Sequence, residues 1–332
     1  MRAIQIREPG GPEVLHVADV PTPEPGAGEL LIRVAVAGVN FADIGLRSGM
    51  YHPGGHGRMA FPLTPGFEVT GTVAALGDGV MDWQVGQRVG AVLDMGGYAE
   101  YAVVNTGDPA KLIALPEGMD FATATALLVQ GPTAHGTLYD AGRFQPGEAV
   151  LVQAAAGGVG SLAVQLARIG GAGTVVGTAG SDAKRDLVRD LGGVPVDYTQ
   201  PDWANAVRGA TGGRGVDVVL ESVGGDAAMQ AWDALAPLGR VVMFGAAGGR
   251  PATPDMMRMN VMGQSMVGFG GPWLRPGRAQ AAREAMVRAW RSGDLRFVMG
   301  PDFPLADAAA AHAAIQSRVT TGKVVLRVSE EV

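Results

Sequence analysis

The chain contains no cysteine. That excludes disulfides, a thiolate zinc site and a cysteine nucleophile. Lysine is scarce, with only three in 332 residues. No apolar run is long and unbroken enough to span a bilayer. The opening MRAIQIREPGG breaks too soon for a charged n-region followed by an apolar h-region. A cytoplasmic protein is the expectation. The net charge of −6 argues against general nucleic-acid binding. His16, His52, His56, His135 and His312 are scattered, with no metal-ligand spacing. What remains is ordinary for a globular protein: 47% hydrophobic and 17% charged residues. The length allows two domains, each with its own core.

One stretch organises the rest: Gly147 to Ala179, GEAVLVQAAAGGVGSLAVQLARIGGAGTVVGTA. An apolar run, Ala149–Gln153, meets a cluster of small residues from Ala154 to Gly160. Leu162, Val164, Leu166, Ala167 and Ile169 then recur at helical spacing until Gly170-Gly171 stops them. A second apolar run, 174–177, follows. This is a strand, a tight turn, a helix and a strand, one βαβ unit. Without side chains the turn can tighten, and a pyrophosphate can approach the backbone and the helix N-terminus. Ala154, Gly157 and Gly160 spell A-x-x-G-x-x-G, with Gly158 added, a departure from the usual G-x-G-x-x-G.

The first third reads as short strands separated by Gly/Pro turns, with Glu29–Gly38 (ELLIRVAVAG) alternating clearly. That pattern predicts a compact barrel-like domain. From Glu148, strands at 149–153, 174–177, 194–196, 216–220, 240–244 and 265–269 alternate with helical patterns. Six strands with crossover helices predict a doubly wound parallel sheet. Helices at 278–292 and 305–316 precede a last strand, 323–328. That strand cannot easily join the finished sheet and is expected to return to the first domain.

Motifs along nearly the whole length point one way: AGVNFAD (37–43), RSGMY (47–51), PGFEVTGTVAALG (65–77), GGYAEY (96–101), AAAGGVGSLAVQLA (154–167), DVVLESVGG (217–225) and SRVTTGKVVL (317–326). Together they resemble the medium-chain dehydrogenase/reductase superfamily, and within it the zinc-independent, zeta-crystallin-like quinone oxidoreductases. The resemblance implies an α/β protein: a GroES-like catalytic domain (1–121 and 272–332) and a Rossmann NADPH-binding domain (122–271). It also implies a homodimer paired through the last Rossmann strand, around Met266–Phe269.

The zinc enzymes of that superfamily carry a Cys where Asn40 stands and a His where Phe67 stands. Only Glu68 remains, and an amide and a phenyl ring cannot replace those ligands. No metal is expected, and Glu68 reads as a structural hydrogen-bonding residue. An NAD-preferring site places an acid about twenty residues after the glycines. Here Gly180-Ser181 end the second strand without a carboxylate, and Lys184 follows. Family resemblance assigns the adenosine 2′-phosphate to Lys184, Tyr198 and Arg318, so NADPH is the expected cofactor. It places Ala156, Gly157, Gly158 and Val159 at the pyrophosphate. Ser222-Val223, Phe244-Gly245-Ala246 and Phe269 fall beside the nicotinamide. Asn40, Gln130 and Thr133 line its other side. Asn40 would hydrogen-bond a substrate carbonyl or the nicotinamide ribose, or serve only as a turn residue. Some relatives carry a Tyr where this chain has Gly45. Tyr51 is the nearest substitute phenol, or a loop packing residue.

The expected activity is hydride transfer from NADPH to a quinone. An enoyl or enone reductase is the alternative with the same cofactor and fold. A catalytically quiet NADPH-binding module is the alternative from a different class.

Overall fold

The computed structural model describes residues 1–50, 59–251, 253–270 and 276–329. The chain forms two compact units, Met1–Val129 with Met299–Val332 and Gln130–Val298.

The first unit is β-rich. Its strands are β1 (Arg2–Gln5), β2 (His16–Asp19), β3 (Glu29–Val39), β4 (Glu68–Leu76), β5 (Arg88–Val92), β6 (Tyr101–Asn105) and β7 (Leu112–Ala114). Helices α1 (Phe41–Arg47) and α2 (Phe121–Thr125) interrupt them. Ile4, Ile32, Val34, Val69, Val89 and Leu326 share one buried core. On β3, Leu30, Ile32 and Val34, two residues apart, face this core.

The second unit opens with α3 (Gln130–His135), which runs on through 136–141 as a wider π-type turn. Then come β8 (Ala149–Val152), α4 (Gly158–Ile169), β9 (Thr174–Ala179), α5 (Asp182–Asp190), β10 (Val194–Asp197) and α6 (Trp203–Ala210). After these follow β11 (Val216–Glu221), α7 (Gly225–Asp233), β12 (Leu235–Met243), α8 (Met256–Met262), β13 (Ser265–Gly268) and α9 (Pro276–Arg291). The six strands pair in parallel in the order β10-β9-β8-β11-β12-β13. The order reverses between β8 and β11, the switch point at which doubly wound sheets bind ligands. Leu151, Val176, Val219 and Val241 bury one face of this sheet with Trp203 and Trp232.

Back in the first unit, β14 (Met299–Pro304) and α10 (Ala308–Gln316) lead to β15 (Lys323–Arg327). β15 pairs antiparallel with β3, Val324 opposite Val39 and Val325 opposite Gly38. The sequence boundary at residue 272 needs correcting. Residues 276–298, α9 included, belong to the second unit, and the chain crosses back only at Met299. An amphipathic helix does not announce which core it covers. α8 and β14 have no counterpart in the sequence reading either. Met299–Pro304 (MGPDFP) lacks alternation and holds its place by parallel pairing with β15.

Candidate functional site

In the second unit, all the candidate residues after α3 gather at one edge. Each strand of a parallel sheet ends on the same side, so the segments following β8, β9, β10, β11, β12 and β13 adjoin one another. The turn after β8 is tight. Ala154 takes φ +48, the left-handed conformation the usual fingerprint gives to glycine. Its carbonyl accepts the Gly157 N–H at 2.9 Å. A Cβ at Gly160 would stand 2.2 Å from that same carbonyl oxygen, so only glycine fits there. Gly157 caps α4 without any side-chain hydrogen bond, which leaves the first N–H groups of the helix facing out of its end. This is a donor set that fits a pyrophosphate. Gln130 lies across the turn. A Cβ at Gly158 would meet its amide at 2.2 Å, and the buried Gln130 Oε1 has no hydrogen-bond partner among the described residues.

At the end of β9, the Tyr198 hydroxyl lies against Gly180, 2.8 Å from where a Cβ would be. Ser181 caps α5 and is exposed. Lys184 is half-buried on the first turn of α5, and burial pulls its pKa below the ordinary lysine value. Arg185 is tied to Asp182 at 2.5 Å and Asp197 at 3.2 Å. At the end of β11, Glu221 closes the next loop. Its Oε1 accepts the N–H groups of Val223 at 2.7 Å and Gly224 at 2.6 Å. Burial raises the Glu221 pKa, and its Oε2 has no partner among the described residues. Ser222 and Val223 are held on this loop. Gly245 follows β12, where a Cβ would stand 2.9 Å from the Ser222 carbonyl oxygen, and Ala247 N–H donates to that carbonyl at 3.0 Å. Phe269 is buried, its ring against Gly136. Thr133 sits on α3, its carbonyl accepting the Thr137 hydroxyl at 2.8 Å.

The first unit holds Asn40 and Arg318. Arg318 follows α10, is exposed and takes φ +58. Tyr51, His52 and His56 lie outside the described residues. Asn40 caps α1, and its backbone N–H donates to Asp43 Oδ2 at 2.7 Å. Its side chain joins a fully buried ion pair, Glu68 with Lys323. Asn40 Nδ2 donates to Glu68 Oε1 at 2.8 Å, and Asn40 Oδ1 accepts from Lys323 Nζ at 3.2 Å. Lys323 Nζ also reaches the Val39 carbonyl at 3.3 Å, and Glu68 Oε2 accepts the Val129 N–H at 2.9 Å. A Cβ at Gly38 would stand 2.2 Å from Glu68 Oε1. The glycine of AGVN therefore makes room for the carboxylate that its asparagine binds.

The buried polar chain continues. Burial raises Asp43 to a pKa of about 7, against a backbone hydrogen bond from Asn40 and the charge of Lys323. Tyr98 OH lies 3.0 Å from His312 Nε2, and Arg47 Nη1 lies 3.3 Å from His312 Nδ1. Burial and Arg47 push His312 down to about 3. Burial and the Asp43 charge raise the Tyr98 phenol well above its usual range. Sequence reasoning missed this network. One signal was present: Lys323 is a rare lysine inside the apolar strand KVVLR.

The residues around Glu68 do not fit a zinc ion. Its carboxylate is already paired with an ammonium, and Asn40 and Phe67 offer no thiolate or imidazole. Among the described residues, no group of three or more His, Cys, Asp or Glu could hold a metal ion.

Two family models match, the alcohol dehydrogenase GroES-like domain over residues 26–117 and the zinc-binding dehydrogenase over 158–285. A 2-haloacrylate reductase from Burkholderia is 34% identical, covering 98% of each chain. A quinone oxidoreductase from Pseudomonas aeruginosa is 35% identical, covering 98% of this chain and 99% of its own. The solved structure of Escherichia coli quinone oxidoreductase, complexed with NADPH, superposes with a TM-score of 0.90 at 28% identity, covering 99% of this chain and all of that one. A GroES-like unit joined to a doubly wound parallel sheet defines a medium-chain dehydrogenase/reductase. Within that superfamily, the chain belongs to the zinc-independent quinone oxidoreductase family.

Proposed function

We propose that the protein is an NADPH-dependent reductase that transfers hydride, without a metal, to a quinone or another conjugated carbonyl. The observation that carries this reading is the edge of the parallel sheet. An uncapped helix N-terminus and a turn closed to side chains stand beside a strand end that offers a lysine where an acid would select NAD. Bound NADPH would supply the hydride. The chain's own part is to bind, orient and exclude water. The α4 N-terminus takes the pyrophosphate, Lys184 and Tyr198 take the 2′-phosphate, and the Ser222-Val223 and Phe244–Ala246 loops fix the nicotinamide end. Asn40 donates an N–H to an acceptor oxygen as negative charge develops there.

Initial rates of nicotinamide oxidation with NADPH and with NADH, against quinones and enones, test this. NADPH is expected to be strongly preferred. Lys184→Ala should weaken NADPH by roughly 10–100-fold, the worth of one charge-assisted hydrogen bond, and leave NADH unchanged. Equal use of both cofactors by the wild type overturns the phosphate assignment. The named activity of the 2-haloacrylate reductase relative favours a second reading, a conjugated acid or enone as acceptor. Turnover of enones but not quinones would select it. Tight NADPH binding with no acceptor reduced would instead leave the binding module.

A homodimer through β13 belongs to the same reading. Among the described residues, β13 is the last strand of the sheet, at the end next to β12. Beside it, Met256 and Met257 are exposed on α8, with Val261 at 77% and Leu238 at 79%. Leu238 Cδ2 lies 2.7 Å from where a Cβ on Gly263 would be, which carries the patch past the end of α8. Light scattering should give a dimer for the wild type and a monomer for Leu238→Asp/Val261→Asp. A monomeric wild type removes the proposal.

A further inference from the structure

We infer that Lys323 is a positioning residue: with Glu68 it locks the Asn40 amide so that the side chain can only donate, and never accept, a hydrogen bond to a bound ligand. This rests on the functional reading above and gives Asn40 its chemistry.

An asparagine amide is nearly symmetric in shape, so its orientation is set by its neighbours. Here the neighbours have opposite character. Glu68 is acceptor-only and Lys323 is donor-only. Asn40 Oδ1 therefore faces the ammonium at 3.2 Å, and Nδ2 faces the carboxylate at 2.8 Å. The flipped amide would set NH2 against NH3+ and C=O against COO−, losing two charge-assisted hydrogen bonds and adding two repulsions. Glu68 takes one Nδ2 proton, and the other is left to offer. Asn40 keeps 8% of its surface exposed.

The rest of the construction serves the same end. The Val39 carbonyl and Glu68 hold the ammonium. The Val129 N–H holds the second carboxylate oxygen. Gly38 leaves the space that Glu68 fills, and Asp43 fixes the Asn40 backbone. A side chain that only caps a helix needs none of this. A donor aimed at an oxygen that gains negative charge during hydride transfer does.

The test uses the full-length protein. Lys323→Met alone would leave Glu68 buried without a counter-charge, so the working variant is Glu68→Gln/Lys323→Met. A glutamine at 68 can offer oxygen or NH2, so both orientations of the Asn40 amide become available. The chain has four asparagines, Asn40, Asn105, Asn205 and Asn260, so selective 15N-asparagine labelling resolves the Asn40 side-chain pair. In the wild type its two protons should be well separated and slow to exchange. In the double variant they should converge and exchange faster. In parallel, kcat, acceptor KM and NADPH Kd are measured for the wild type, Asn40→Ala, the double variant and the triple variant. Asn40→Ala should lower kcat/KM by roughly 10–100-fold, the cost of one donor to a developing oxyanion. The double variant should move the same constant, and the triple should match Asn40→Ala within about twofold, as coupled residues do.

Unchanged amide resonances in the double variant overturn the proposal. So does a kinetic loss that persists in full when Asn40 is already alanine, which would make Lys323 merely structural. If no quinone or enone supports NADPH oxidation by the wild type, the functional reading fails instead, and the amide spectra still decide the orientation.

Discussion

Lys323→Met should cost about 3–5 kcal/mol of folding free energy, the usual consequence of leaving one buried charge of a pair uncompensated. Glu68, at the start of β4, is fully buried against Gly38, Lys323 and the Val129 N–H. The methionine also removes the donor to the Asn40 and Val39 oxygens. Adding Glu68→Gln removes the stranded charge, so the double variant should recover most of the loss. Urea unfolding measures both. A single-variant loss under about 1 kcal/mol would mean that the carboxylate finds water or a proton, and that the pair is less enclosed than its burial implies. Recovery in the double variant is the sharper result. It separates the cost of breaking the pair from the worth of having it.

The second large effect is a cancellation. His312 stays neutral in the folded protein, with its pKa near 3 against 6.5 when free. Its contribution is complete above pH 6.5 and is lost as pH falls toward 3. Asp43 behaves in the opposite sense. Its folded pKa of about 7 exceeds the ordinary 3.8, so its contribution is complete below pH 3.8 and is lost as pH rises through 7. Between about pH 4 and 6.5 the two slopes oppose each other. His312→Gln should unmask Asp43, so that stability falls with rising pH by about 1 kcal/mol per unit relative to the wild type. Asp43→Asn should unmask His312, with stability rising by a similar slope. Thermal or urea unfolding at several pH values reads both. The same slope in both variants would show that the two groups do not titrate as their burial demands. Burial comes first at both sites; the Asn40 N–H, Lys323, Glu68 and Tyr98 then act on Asp43, and Arg47 acts on His312.

Some of this was legible before any coordinates. The βαβ unit declares itself because its signals are local: an apolar run, small residues, then a helical period. The structure adds that Ala154 occupies the left-handed position usually given to glycine, a backbone state no side chain announces. The shared edge at the strand ends of the second unit was legible for a topological reason. Once the strands are known to be parallel, their following loops must share one edge. Glu68 was legible as a hydrogen-bonding residue, though not its partners.

The sequence by itself determined the two kinds of sheet, the glycine turn, the missing thiolates and the family. All of these depend on residues near one another in the chain or on motifs in order. Tertiary structure alone decided that Lys323 meets Glu68 across 255 positions, and that Arg47, Tyr98 and His312 line up behind Asp43. It alone placed α9 with the second unit. The reason is that a buried charge carries no periodicity. It is tolerated wherever folding delivers a partner of opposite sign, and here that delivery is a property of β3 pairing with β15 on one side and β4 on the other, rather than of the residues of β4 or β15 alone.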